Sequence, residues 1–442
     1  MKKRLTPKTT FLQALKEGSG WEYLSAAVWG AGCAARGQII KGLLFLAAEA
    51  GVIGYMLSSG LYNLDKLMTL GTVGQQKVWN DEKSIFEYID GDRSLNILLY
   101  GIITVAILIC GIMLLRASVK ASYRAGSFKK QGKRAPGFRR ELRAYADERL
   151  HMTLLTPPLL GICAFTLLPL VFMACMAFTN YSVLDKKLVL FDWVGLKNFE
   201  RTLALNGSLG QTFWSVLGWT ILWALAATFS NYILGMLLAL FINWKEIRIK
   251  KFWRFCFVLT VAVPHFVTLL IMRQMLQPNG AVNVLLKELG WIDSPLPFFT
   301  DTSWARITVI LINIWVGVPY TLLQITGILQ SIPQELYESA KVDGANPFVT
   351  FTRITLPYML FVTTPYLITV FTGNINNFNV IYLTSAGLPR AVGSTAGDTD
   401  LLITWLYKLT IDNQYYDVGA VIGIIRSRAL QAHVASLNAQ GA

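Results

Sequence analysis

The chain has 442 residues, of which 54% are hydrophobic and only 15% are charged, and its mean hydropathy is +0.46. This composition excludes an ordinary soluble globular domain and indicates an integral membrane protein. The net charge is +14, but Lys and Arg are concentrated in a few segments beside apolar runs, which is typical of a cytoplasmic membrane face and not of nucleic-acid binding.

The N-terminal segment is basic. Residues 1–38 are predicted to form a basic N-terminus and then an interfacial helix over residues 21–37. No apolar region with a cleavage site follows the first residues at once, so no cleaved signal peptide is predicted. Residues 39–115 hold two apolar runs, 39–57 and 97–115, each close to the roughly twenty residues that cross a bilayer. An outer loop with more acidic than basic residues joins them.

Residues 116–150 are strongly basic, with eleven Lys or Arg against three acidic residues. By the positive-inside rule this segment is cytoplasmic, and so is the N-terminus. It contains GSFKKQGK at residues 126–133, which fails as a phosphate-binding loop because its spacing is wrong and no Ser or Thr follows. We therefore predict a solvated basic linker.

Residues 151–425 continue the alternation of apolar runs and loops. The predicted spans here are residues 154–178, 212–242, 257–275, 307–329 and 358–383, the third broken by Pro264. A last run, 417–425, ends at Arg426 after nine residues, which is ~14 Å of helix or about half the hydrocarbon core. The sequence thus predicts an all-α integral membrane protein with about eight transmembrane helices, the last one incomplete, and an atypical tail at residues 426–442.

A polar stretch at residues 338–357, ESAKVDGANPFVTFTRITLP, interrupts this pattern. A first short helix is predicted over residues 333–343, ending at Gly344, which can adopt the left-handed conformation. A second begins with Asn346 as its N-cap and Pro347 in the first helical position. The pattern predicts a helix–glycine–helix elbow between two spans, a rigid protrusion that can press against another protein.

The residues of the elbow resemble the "EAA" loop in permease subunits of binding-protein-dependent ABC importers, with Ser339 where that pattern usually has Ala. The resemblance implies that residues 333–357 dock in a surface cleft of an ATP-binding cassette ATPase, of which the importer has two. It also implies that six of the spans form the permease core and that the chain itself is not an enzyme. ATP would be bound and hydrolysed by the partner subunits, so no cofactor of its own is expected. The coupling residues so implied are Glu338, Ser339, Ala340, Asp343, Gly344, Ile354, Leu356 and Pro357, with Leu336 and Phe348 adding apolar contacts.

Two polar segments lie inside predicted spans: WVGVPY at residues 315–320 and GNINNF at residues 373–378. Three Asn within four residues are costly in hydrocarbon and should face the bundle interior or an aqueous cavity. Aromatic faces beside amides suit a sugar, but Asn also joins transmembrane helices by hydrogen bonds. The residues alone leave both interpretations open.

Both segments resemble the corresponding spans in the larger permease subunit of maltose-type importers. The resemblance covers about residues 154–423, and the two extra N-terminal spans are similar to those of Gram-positive oligosaccharide members. It implies sugar contacts from Val316, Gly317, Tyr320, Gly373, Asn374 and Asn377. Gly373 replaces a stacking aromatic of the maltose subunit, so the sugar is expected to sit differently.

The resemblance also implies partners and a location. These are a second permease subunit, an extracytoplasmic sugar-binding protein and an oligosaccharide substrate, in the bacterial cytoplasmic membrane, with the N-terminus inside. Maltose or maltodextrin is the expected substrate, and galacto-oligosaccharides and raffinose-type sugars are the alternatives.

Two other classes of function make different demands on the sequence. An ion-coupled secondary transporter needs a mid-membrane carboxylate, and Glu49 is the one acid inside the seven complete predicted spans. A membrane enzyme needs a catalytic constellation, and the sequence offers no triad, HExxH or paired carboxylates. The five Cys and three His are scattered, so neither catalytic residues nor a metal site are predicted.

Overall fold

A computed structural model describes residues 10–81, 85–244 and 247–440, with the backbone alone for residues 80, 87, 89 and 429–440. The basic residues 1–9 of the predicted N-terminal segment and the last two residues of the predicted tail lie outside this part. The chain divides into two units, Met1–Gly195 and Leu196–Ala442.

The first unit is mainly helical. Its elements are α1 (Phe11–Lys16), α2 (Gly20–Ala27), α3 (Ala31–Ala34), α4 (Ile39–Tyr55), α5 (Leu61–Thr69), β1 (Gln76–Asn80), β2 (Ile85–Ile89), α6 (Ser94–Lys130), α7 (Phe138–Ala146), α8 (Leu150–Ile162) and α9 (Leu168–Met176). Single π-helical turns, Met56–Gly60 and Cys163–Leu167, join α4 to α5 and α8 to α9. Each of these pairs therefore forms one long apolar helix.

The predicted interfacial helix is instead two short helices, α2 and α3, and they pack with α1 against the basic end of α6. The side chains of Glu22 and Arg36 form a buried ion pair of 2.6 Å there, and Arg36 also donates to Ser122 of α6. Burial raises the pKa of Glu22, but hydrogen bonds from Arg36 and Ser19 outweigh it and hold that pKa below its usual 4.5.

The segment predicted as a solvated basic linker is therefore only partly solvated. Helix α6 runs on to Lys130, and Ser118, Val119 and Ser122 are buried under α2 and α3. The difference arises because small residues recur at helical spacing between the basic ones, which gives α6 a face that neighbouring helices can cover.

The outer loop of the first unit contains a β-hairpin that the sequence did not predict. β1 and β2 pair antiparallel, and Trp79 meets Phe86 edge to face at 4.7 Å. The loop is tied to α5 by Asp92, whose carboxylate accepts from Lys66 Nζ at 2.8 Å. That ion pair, with the N–H groups of Val73 and Thr72, holds the pKa of Asp92 below its usual 3.8.

The second unit contains the remaining helices. They are α10 (Lys197–Leu203), α11 (Ser208–Asn243), α12 (Lys250–Ala262), α13 (His265–Met275), α14 (Ala281–Glu288), α15 (Thr302–Ser331), α16 (Gln334–Val342), α17 (Pro347–Thr350), α18 (Leu356–Ile375), α19 (Phe378–Thr384), α20 (Leu402–Tyr407) and α21 (Tyr416–Gln440). Helices α11 and α15 form its centre and run parallel, since Trp219 lies beside Arg306 near their N-termini and Asn231 beside Gly317 further along.

The predicted all-α membrane architecture is confirmed. Within the described residues, six helices are long and apolar enough to cross a membrane, and α12 with α13 adds a seventh if that pair, bent by 87°, is one span. The bend lies at Pro264, as predicted. Helix α21 is 25 residues long, but it is not among these spans, since its apolar part gives way to Arg426 and Arg428.

Candidate functional site

The elbow after α15 begins with a helix that ends in a Schellman motif. The Ala345 N–H donates to Ala340 O at 2.9 Å, and the Gly344 N–H donates to Lys341 O at 3.1 Å. Gly344 has φ +75°, in the left-handed region that other residues adopt only at a cost. The helix stop predicted at Gly344 is confirmed.

The second half of the elbow begins as predicted and ends differently. Asn346 caps α17, because its side chain accepts from the Val349 N–H at 2.8 Å, and Pro347 follows in the first helical position. Helix α17 then runs through the π-helical turn Phe351–Thr355 directly into α18. The predicted separation of this helix from the next span was wrong: Pro357 lies inside one continuous helix, directly after the π-helical turn, and does not begin a new one.

The predicted coupling residues divide by exposure. Five are exposed, while Ala340 is buried and Ile354 and Leu356 are partly buried; the exposed ones are Glu338, Ser339, Asp343, Gly344 and Pro357. Ala340 therefore holds α16 to its own chain and does not reach outward, contrary to expectation. The sequence reasoning missed Val342, which is 88% exposed and, with Phe348 at 74%, gives the elbow an apolar tip.

Some of the predicted sugar contacts lie in a polar band across the second unit, formed by Thr228, Asn231, Asn313, Asn374 and Asn377. Asn374 is 7% exposed, and its amide donates to Thr228 Oγ1 of α11 at 3.0 Å. The Trp223 indole N–H donates to the backbone oxygen of Asn374 at 3.1 Å. Asn374 thus fastens the end of α18 to α11, which is the helix-joining role that the sequence left open beside sugar binding.

Asn377 marks the break between α18 and α19. Its side-chain oxygen caps α19 by accepting from the Val380 N–H at 3.2 Å, and its amide donates to Asn313 Oδ1 of α15 at 3.4 Å. Because Ile375 ends one helix and Phe378 begins the next, the broken backbone depends on this cap.

Gly317 lets α15 approach α11 closely. A Cβ at this position would lie 2.4 Å from Asn231 Nδ2. The buried Asn231 Oδ1 and Asn313 Nδ2 find no hydrogen-bond partner among the described residues. Each is an amide within an apolar run, which is the sequence signal that could have identified it. Val316 packs partly buried against the cluster around Trp223.

Two predicted contacts are open to the surroundings of the chain. Tyr320 is 47% exposed, and Gly373 is exposed with nothing within 4 Å of an added Cβ. The structure thus brings Gly317, Asn374 and Asn377 into the interior band and leaves Tyr320 and Gly373 on its surface.

Arg426 reaches the same band from α21. Its Nε donates to Asn376 Oδ1 at 2.6 Å. In the sequence Arg426 only interrupted an apolar run, and nothing indicated that its guanidinium would meet the Asn cluster fifty residues earlier. The contact places a cation beside the break between α18 and α19.

Glu49, the acid that an ion-coupled transporter would need, is already engaged. It is 9% exposed, and its Oε2 accepts from the Trp29 backbone N–H at 2.8 Å, between α2 and α3. The carboxylate gives a buried backbone N–H the hydrogen-bond acceptor that it needs. Its presence is therefore explained without a transported ion.

The segment between α19 and α20 is held by a buried ion pair. Asp400 accepts from Lys408 Nζ at 2.7 Å and from the Gly397 N–H at 2.7 Å. Lys408 Nζ also donates to Ala386 O at 2.7 Å. These contacts hold the segment together, and Arg306 of α15 and Trp219 of α11 fasten it to their helices by donating to Asp398 O and Thr399 O. Elsewhere, the described residues contain no cluster of three or more His, Cys, Asp or Glu suited to a metal ion.

Comparison with known proteins gives three findings. Residues 231–425 match the family model described as "Binding-protein-dependent transport system inner membrane component". Two proteins of Bacillus subtilis (strain 168) are each 35% identical: the galactooligosaccharides transport system permease protein GanP over 88% of this chain and 90% of its own, and the maltodextrin transport system permease protein MdxF over 91% of each. In fold, the chain resembles a chain from the crystal structure of a bacterial ABC transporter involved in import of the acidic polysaccharide alginate, with a TM-score of 0.54, 22% identity, and coverage of 68% of this chain and 98% of that one.

Proposed function

We propose a function from one premise: the chain belongs to the family of binding-protein-dependent transport system inner membrane components, and within it to the carbohydrate ABC permeases. The proposal is that it forms half of the pathway of an ATP-driven oligosaccharide importer. A second permease subunit supplies the other half, two ATPase subunits drive the cycle, and an extracytoplasmic binding protein delivers the sugar.

The observation that carries this proposal is the elbow. It is an exposed, rigid corner with an apolar tip at Val342 and Phe348 and carboxylates at Glu338 and Asp343. An apolar centre with charged groups beside it is typical of a protein–protein docking surface. Since α17 and α18 are continuous, movement of the tip by an ATPase reaches the break at Asn377 through one helix.

The proposed orientation puts the elbow in the cytoplasm of a bacterial cell. The basic end of α6, with Lys129 and Lys130, then lies on the same side by the positive-inside rule, and the N-terminus lies inside. The N-terminal ends of α11 and α15 then face outward.

The proposed substrate is a maltodextrin, and a galacto-oligosaccharide is the alternative. MdxF supports the first and GanP the second, and each is 35% identical to this chain. Tyr320 and Gly373 are proposed to touch the sugar, since they are exposed beside the polar band. Asn374 is proposed to hold the band in place. A second amide, Asn377, is proposed to serve both as the cap of α19 and as a sugar contact.

Co-purification of an ATPase subunit with this chain tests the proposal. Gly344→Asp and Gly344→Asn both tolerate the left-handed backbone better than other substitutions, and a Cβ there meets nothing within 4 Å in this chain. Both variants should therefore insert normally. An added side chain in a packed interface costs about 1–3 kcal/mol, or roughly 5- to 150-fold in association.

We expect both variants to lose the ATPase and the uptake of labelled maltotetraose, Asp more than Asn because of its added charge beside Asp343. Glu335→Gln, an exposed change elsewhere on α16, is the matched control and should retain both. Normal uptake by Gly344→Asp would refute the coupling role of the elbow.

A further inference from the structure

A polar cavity of about 230 Å³ lies at the end of the second unit opposite the elbow. Parallel helices α11 and α15 and the segment before α20 line it. The side chains that carry the argument are Gln211, Thr212, Ser215 and Trp219 of α11, Arg306 of α15, and Asp398. On α11 they recur at helical spacing, so they form one polar stripe at the N-terminal end of an otherwise apolar helix.

Arg306 is held in a fixed position in this cavity. Its guanidinium lies over the Trp219 ring at 4.6 Å, and its Nε donates to Asp398 O at 3.1 Å. Trp219 is itself anchored by its indole N–H, which donates to Thr399 O at 3.2 Å. These contacts use one N–H of the guanidinium and leave the donors of its two terminal nitrogens for another acceptor.

The other lining groups add acceptors as well as donors. Gln211 and Ser215 are exposed, and neither side chain makes a hydrogen bond to the rest of the described chain. Asp398 accepts from Thr302 Oγ1 at 2.5 Å and retains acceptor capacity. Asp400, which also lines the cavity, is neutralised by Lys408 at 2.7 Å.

The mixture of hydrogen-bond donors and acceptors in the cavity indicates which class of ligand fits it. A phosphate or carboxylate would meet Asp398 as a like charge, and a cation would meet Arg306. A sugar hydroxyl donates and accepts at once, so it can pair with the guanidinium, the amide and the carboxylate together. The volume lies below the roughly 300–1,000 Å³ of sites for drug-sized ligands, which suits one sugar ring and not a whole oligosaccharide.

We propose that this cavity binds one glycosyl unit of the oligosaccharide at the outer mouth of the pathway, a site separate from the polar band. The proposal rests on the transport function inferred above. Ser215 and Thr228 lie thirteen residues apart on α11, so the two sites are separated by about 20 Å. A disaccharide cannot bridge that distance, whereas a long oligosaccharide can occupy both sites.

The experiment compares chain lengths in the complete assembly with its binding protein, reconstituted in proteoliposomes. The probes are maltose and maltohexaose, with galactobiose and galactohexaose run in parallel. Ser215→Leu fills the cavity, and Gln211→Leu removes its amide at nearly constant size. Ile221→Phe is the control, since Ile221 is exposed on the same helix and does not line the cavity.

For the hexasaccharide that the wild type transports, we expect both cavity variants to raise the half-saturating concentration about five- to tenfold, the effect of losing one or two hydrogen bonds. The disaccharide and the control should be unaffected. Equal changes for both chain lengths, no change in either cavity variant, or the same change in the control would overturn the proposal.

Two further outcomes separate the alternatives. If the cavity variants raise the concentration of sugar-free binding protein needed to stimulate the ATPase, the cavity seats that protein and the glycosyl proposal is overturned. If the wild-type assembly transports none of the four sugars, the proposed function itself fails, and this inference fails with it.

Discussion

The hydrogen bond from the Asn374 amide to Thr228 Oγ1 can be removed from either side, and the two sides should not be equivalent. We consider Asn374→Leu, Thr228→Val and the double variant. Both side chains are buried, at 7% and 3% exposure, and the bond is 3.0 Å long. These nearly isosteric changes leave the backbone contact from Trp223 intact.

The expected loss of unfolding free energy depends on which buried polar group is left without a hydrogen-bond partner. Thr228→Val leaves a buried amide donor without its acceptor, which costs about 1–3 kcal/mol of unfolding free energy. Asn374→Leu strands no donor, because the Thr228 hydroxyl can turn to a backbone carbonyl of its own helix, so the loss is only about 0.5–1.5 kcal/mol. The double variant should resemble Asn374→Leu, giving a coupling energy of order 1 kcal/mol.

The free energy of unfolding is measured with SDS in mixed micelles, and oligosaccharide uptake is measured for the same variants. If Asn374 only fastens α18 to α11, uptake should follow stability and return in the double variant relative to Thr228→Val. Restored stability with lost uptake would refute this reasoning and make Asn374 a sugar ligand. Equal costs for the two single variants would contradict the stranded-donor argument.

Three further outcomes are expected. Asn377→Leu should cost about 1 kcal/mol by removing the cap and should lower uptake without loss of the co-purifying ATPase, whereas Asn377→Asp keeps the cap; unchanged uptake in the Leu variant would argue against a sugar contact. Glu49→Gln should transport normally, since the amide oxygen still accepts from the Trp29 N–H, and Glu49→Leu should lose about 1–3 kcal/mol by stranding that N–H; lost coupling in Glu49→Gln would revive an ion-coupled mechanism. Because Lys66 and backbone N–H groups lower the pKa of Asp92, the stability that this carboxylate gives the outer loop is present above pH 3.8 and is lost as the pH falls through the lower folded-state pKa. Cleavage of that loop by pepsin, an acid protease, should rise in the wild type relative to Asp92→Asn as the pH is lowered below 3.8, because the variant lacks the carboxylate at every pH.

Local signals predicted the backbone well where neighbouring residues decide it. Gly344 adopts φ +75°, Asn346 caps its helix, and the pair α12 and α13 bends by 87° at Pro264. These features depend on the φ preference of Gly344, the missing N–H of Pro264 and the side-chain oxygen of Asn346. All three act within a few residues, so they can be predicted from the local sequence. The apolar spans were predictable for a similar reason, since their length follows from the thickness of the bilayer.

Contacts between distant segments were not predictable in this way. The segment predicted as a solvated linker is partly buried, because α2 and α3 return to cover Ser118 and Ser122 of α6. The hydrogen bond between Asn374 and Thr228 joins residues 146 positions apart, and the one between Arg426 and Asn376 joins residues 50 positions apart. Composition indicated that these polar groups needed partners, but the choice of partner depends on how the helices pack.

ATP-driven uptake by the reconstituted assembly tests the central claim most directly. Proteoliposomes holding this chain, its second permease subunit and the ATPase are supplied with binding protein and labelled maltotetraose or galactotetraose. The account predicts that sugar accumulates only with ATP on the side of the elbow, and that an imposed proton or sodium gradient has no effect. Accumulation driven by an ion gradient without ATP would contradict it.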